Sequence, residues 1–154
     1  MHIPYEKVIG VWNMLYFNNT EPCTGWCLPL PPTAKDLGTI TITPSRYFSA
    51  VITRTDLAVL PPNETWRTIN DSVRGQIAWK FVTYSGPISL AWENDSLVST
   101  VDVEVSLTPE WIGSKQKRGV TFKESEGETL MILNPFRDDG PSRTFLYWQR
   151  KEGF

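Results

Sequence analysis

The chain has 154 residues, 40% apolar and 21% charged, which is the size and balance of one globular domain with its own core. Its formal net charge is -2 with no basic run, which excludes a cationic nucleic-acid surface. One histidine, His2, and two cysteines, Cys23 and Cys27, exclude histidine-based triads and leave no ligand set for a metal, so no cofactor is expected.

The opening MHIPYEKVIGVW lacks the apolar run and small-residue cleavage site of a signal peptide. No stretch of about 18 apolar residues follows, so no membrane span is expected. A cytoplasmic location is expected on this reading, and with it free thiols rather than a disulfide. Asn-x-Ser/Thr triplets at Asn18, Asn63, Asn70 and Asn94 then read as turn and cap residues.

Residues 8–18, VIGVWNMLYFN, are rich in β-branched and aromatic side chains and predict a strand. Strict alternation puts Trp12, Met14 and Tyr16 on one face. Residues 19–36 are Pro-rich and irregular, yet they carry Trp26, Leu28 and Leu30, which a disordered linker would not need. They read as a lid with Trp26 facing an opening, or as a loop pinned down by those same side chains. LGTITIT and YFSAVITR flank a PSR turn and predict a hairpin. Asn63 then opens a helix, and Trp66, Ile69, Val73, Ile77 and Phe81 recur at helical spacing. The spacing predicts a main helix region over 63–84, ended by Gly86-Pro87.

Residues 87–93 and 96–107 predict strands around an Asn94-Asp95 turn. Further strands are expected over 114–122, 127–133 and 142–151, with NPFRDDGPS as a polar loop. Val101, Val103, Val105 and Leu107 claim the inner face of their strand, which leaves Asp102 and Glu104 on the outer wall. With the phase reversed, those carboxylates would form an acid/base pair, and that reading stays open. The tally is about eight antiparallel strands and one main helix in a single domain spanning 1–154, either a closed barrel or a sandwich.

One residue stands out. In SKQKRGVTF, Gln116 and Arg118 share a face with Val120 and Phe122, while Lys115 and Lys117 take the other. An arginine cannot shed its charge, so an inward one needs a partner. Either an internal carboxylate meets it, or a ligand oxygen does. Gln116 and Tyr16 are the other polar groups expected on the inner wall. Tyr16 reads first as a core tyrosine, and second as a group that orients a ligand oxygen.

Three segments resemble the lipocalin-like domain family. They are the GxW of Gly10-Val11-Trp12, then LGTITITPSRYFSAVI, then LTPEWIGSKQKRGVTF, and the ending LYWQR fits the same order. The resemblance implies an up-and-down barrel holding one small apolar ligand, with Trp12 plugging the narrow end and Arg150 lying across it. It also implies enzymes of microbial secondary-metabolite biosynthesis that need no cofactor. Family chemistry resting on a His just before the third segment has no counterpart in STVDVEV. The expected function is therefore a cofactor-free cyclase or isomerase for a polyketide- or terpenoid-like molecule, or a carrier for such a ligand. Catalytic roles are expected at Arg118, Gln116 and Tyr16. Substrate contacts are expected from Trp12, Met14, Trp26, Trp111, Val120, Phe122 and Trp148. The expected partner is a small hydrophobic molecule, and homodimerisation is left open.

Overall fold

The computed structural model describes residues 1–19, 37–53, 60–79, 81–137 and 140–153. Ten strands and two helices follow in chain order. They are α1 (Tyr5–Val8), β1 (Gly10–Asn19), β2 (Leu37–Ile42), β3 (Tyr47–Thr53), α2 (Asp71–Ala78), β4 (Phe81–Glu93) and β5 (Ser96–Asp102). After these come β6 (Val105–Ser106), β7 (Lys115–Ser125), β8 (Glu128–Arg137), β9 (Gly140–Pro141) and β10 (Thr144–Glu152). Each long strand pairs antiparallel with the next, and β10 pairs with both β8 and β1, which closes the ring. The protein is an all-β, up-and-down barrel, with β6 and β9 as short additions to its wall.

Local chemistry sets the hairpins. Asn94 and Asp95 both take positive φ, 48° and 63°, as a two-residue turn between β4 and β5 requires. Glu126 and Gly127 do the same between β7 and β8. Alternation then fills the barrel. Ile40 and Ile42 on β2, Phe48 and Ala50 on β3, Ile88 and Leu90 on β4, and Met131 and Leu133 on β8 are all buried. Thr39 and Ser89 face outward and are exposed.

The helix is much shorter than its sequence spacing predicts. α2 covers only Asp71–Ala78, and its N-cap is Asn70, whose side chain accepts from the Val73 N–H at 2.9 Å. Asn63 sits in an earlier exposed turn with φ 66°. Arg74 donates to the carbonyls of Trp66 and Ile69, which binds residues 66–69 to the helix as a turn. Phe81–Tyr84 belong to β4, because their backbone pairs with Ala50–Thr53 of β3. Ladder pairing outweighs the helical spacing of Phe81 with Ile77. Asn70→Ala removes the cap and is expected to cost about 1 kcal/mol in chemical denaturation. An unchanged midpoint would show that residues 66–69 alone hold α2.

Gly86-Pro87 does not end a helix; it lies inside β4. Ile88 pairs with Val101 of β5, but Ser85 pairs with Val105 of β6. Two residues of β4 separate Ser85 and Ile88, whereas three separate Val101 and Val105 on the opposing stretch. Residues 102–104 therefore form a bulge, and the Glu104 N–H donates to the Ser85 carbonyl at 2.8 Å across it. The bulge explains the proline, which lacks a ladder donor. It also reverses the alternation. Val101 and Val103 are buried as predicted, but Val105 and Leu107 are 62% and 49% exposed. The expected polar loop 134–142 is corrected too. β8 runs on to Arg137, and Phe136 pairs with Pro141 of β9.

Candidate functional site

One end of the barrel is filled. Trp12 is fully buried, and its indole N–H donates to the Val8 carbonyl of α1 at 2.8 Å. The Arg150 guanidinium lies 4.8 Å from the Trp12 ring centre and donates to the Lys7 carbonyl at 2.6 Å. The Tyr5 hydroxyl accepts from the Leu90 N–H at 3.0 Å, and Arg46 stacks 3.8 Å from the Tyr5 ring centre. α1 is thereby tied to strands on several sides of the ring.

A cavity of about 810 Å³ occupies the interior towards the other end. Ile40, Ala50 and Ile52 line it from β2 and β3, and Val82 and Tyr84 from β4. Gly75 and Ala78 come from α2, Trp79 from its C-cap, and Leu107 to Trp111 from the segment after β6. Gln116 and Arg118 of β7 and Leu146 and Trp148 of β10 complete much of the wall. That volume suits one medium-sized organic molecule.

Arg118 therefore faces the cavity, on the same phase as buried Val120. Its guanidinium lies 5.7 Å from the Tyr84 ring centre, and Nη1 donates to the Lys117 carbonyl at 2.8 Å. Among the described residues no carboxylate pairs with it. The neighbouring lysines face the other way and are neutralised there. Lys117 meets Glu93 at 3.0 Å and Lys115 meets Asp102 at 2.5 Å. Gln116 donates from its amide to Ser114 Oγ at 3.1 Å, which donates to the Trp111 carbonyl at 2.6 Å. This chain of bonds ties Gln116 to the Trp111 backbone.

Trp111 and Trp148 also line the cavity. Trp111 packs edge-on against Tyr84 at 5.5 Å between ring centres. The other expected substrate contacts lie elsewhere. Trp12 and Met14 are buried in the packed core and do not line this cavity. Val120 and Phe122 border a separate recess of about 670 Å³ that also takes in Lys7 and Leu97. Tyr16 lies beyond a register shift in β1, where its backbone opposes Tyr147, a neighbour of inward Trp148. Its side chain, and all of Cys23, Trp26 and Cys27, lie outside the described residues.

Asp102 and Glu104 are on the outer wall. Asp102 holds Lys115, and Glu104 accepts from the Tyr47 hydroxyl at 3.2 Å. Partial desolvation, together with that carboxylate, pushes the Tyr47 pKa up. Neither acid lines the cavity, so among the described residues the two form no acid/base pair inside. Among the described residues no three His, Cys, Asp or Glu side chains converge on a common point, and no helix is long and apolar enough to cross a membrane.

Sequence reasoning missed Tyr84. It is 5% exposed, stacks on Phe48 at 5.0 Å, and stands between Arg118 and Trp111. The helical reading of 63–84 hid it. The signal that was present is the run FVTY, whose β-branched and aromatic residues favour a strand.

Residues 9–151 match the family model of the lipocalin-like domain. The chain belongs to the lipocalin-like domain family. The comparison with curated proteins gives no match. As a lipocalin-like barrel, the protein has an architecture that supports small-molecule binding, and its cavity lies inside the ring of strands. The buried GxW tryptophan and the arginine across it give this lipocalin-like barrel its filled end.

Proposed function

We propose that the protein is a cofactor-independent cyclase or isomerase of secondary-metabolite biosynthesis. It acts on a polyketide- or terpenoid-like molecule bound inside the barrel. The observation that carries this reading is Arg118, a permanent cation facing an aromatic cavity with no carboxylate partner among the described residues. A guanidinium there polarises a substrate oxygen in surroundings that strengthen the interaction. Tyr84, Trp111 and Trp148 give the wall rigid faces against which a flexible chain folds into a reactive conformer. Among the described lining residues the only carboxylate is Glu110, which is exposed. Ring closure by shape and polarisation fits such a wall better than proton abstraction does.

The test exploits mass. A cyclase of this kind converts a substrate into a product of identical mass. Deleting the gene in its host should replace one metabolite by an isomer of different retention time, and the wild-type protein should convert that isomer back in vitro. A fall in metabolite level with no isomer exchange would instead identify a carrier. That second reading is favoured by the lack of an internal acid/base pair among the described residues.

A further inference from the structure

The hydrogen-bonding inventory of the cavity is one-sided. Arg118 uses one N–H on the Lys117 carbonyl, which leaves the rest of its fork free among the described residues. Tyr84 engages its neighbours only through its ring, so among the described residues its hydroxyl has no hydrogen-bond partner. Trp148 carries a buried indole N–H that is also unpartnered among the described residues. Of these only the Trp148 N–H is fully buried, and a buried donor is normally satisfied; Arg118 and Tyr84 line the same cavity with donors that a ligand can meet.

We propose that Tyr84 and Arg118 form an anion clamp, and that the ligand carries a carboxylate or an equivalent enolate oxygen pair on an otherwise apolar body. A guanidinium binds two such oxygens through parallel N–H bonds, and a phenol donates to whichever oxygen keeps a free lone pair. The apolar body lies against Ile40, Ile52 and Leu146, which line the same cavity. A neutral ligand with one carbonyl would leave most of these donors unused. Tyr84 is a positioning and specificity-determining residue in this account, since it selects among ligands by their acidic end. The inference rests on the reading of the cavity as an apolar-ligand site.

The two can be separated with fluorescent polyene probes. The wild-type protein is titrated with parinaric acid and with its methyl ester, which share one apolar body. The acid is expected to bind at least about ten-fold more tightly than the ester at pH 7. Its advantage should disappear below about pH 4, where a carboxylic acid is protonated. Tyr84→Phe should weaken the acid about three- to ten-fold and leave the ester unchanged, and Arg118→Met should make acid and ester equal. Circular dichroism melting of each variant shows whether it is folded, and Arg118→Lys, which keeps the charge, should retain part of the acid preference. Equal binding of acid and ester by the wild type overturns the clamp while the apolar cavity stands. So does a Tyr84→Phe loss that falls equally on both probes. Saturable binding of neither probe overturns the cavity reading, and the clamp with it.

Discussion

Arg118→Met is expected to reduce ligand affinity or turnover ten- to a hundred-fold while the protein melts within a few degrees of the wild type. Each charge-assisted hydrogen bond contributes about 1.5–3 kcal/mol, so losing one or two accounts for that range. Stability should hold because the guanidinium has no carboxylate to abandon among the described residues. Its one protein hydrogen bond is to the adjacent Lys117 carbonyl, which already sits in the β5–β7 ladder. Methionine fills similar volume, and removing a half-buried charge lifts an unfavourable desolvation. Arg118→Lys should restore only part of the function, since a point charge cannot present two parallel donors. The measurement is activity and melting temperature in the same three proteins. A variant that collapses, or one that handles its ligand normally, would remove Arg118 from the site.

Gly86→Ala should be the most damaging conservative substitution in the barrel wall. An added Cβ would lie 1.8 Å from the Asp102 carbonyl oxygen and 2.8 Å from its carbonyl carbon. Both are backbone atoms, so no side-chain rotation relieves the clash. The bulge at 102–104 would have to move, and with it the Glu104-to-Ser85 hydrogen bond. Overpacking of this kind costs on the order of 3 kcal/mol. For a domain of this length that lowers the melting temperature by about 6–12 °C. Urea denaturation measures it directly. A loss below about 1 kcal/mol would mean that residues 102–104 do not rest on β4 as described.

The parts of the fold written in alternation were legible. Residues 39–43 and 47–53 read as a hairpin because threonines and isoleucines keep strict phase through both strands. Arg118 was readable for the same reason, since β7 runs from Lys117 to Val120 without a bulge. What alternation does not encode is depth along the barrel axis. Trp12 and Met14 are buried as expected, yet they are packed into the core and do not line the cavity. One-residue insertions were illegible as well. The bulge at 102–104 is marked only by Gly86, which sits on a different strand some 16 residues earlier, and it leaves Val105 and Leu107 exposed rather than buried. The shift between Met14 and Tyr16 breaks the β1 phase in a similar way. Tyr84 was lost for a third reason. Ile77 and Phe81 happen to be four apart, and helical spacing continued on paper where the chain had already entered β4.

The closure of the ring has a bearing on how the protein comes into being. β10 is hydrogen-bonded to β1 on one side and β8 on the other. Residues 11–19 therefore wait for partners more than a hundred positions later, and contacts so distant in sequence make for slow folding. Until residues 144–152 leave the ribosome, β1 and β8 each present a bare row of amides and carbonyls, the kind of edge on which strands of other molecules add. The finished barrel has no such edge along its main ring. Its vulnerable period is thus its synthesis rather than its working life, and any damage to the last strand reopens both seams at once.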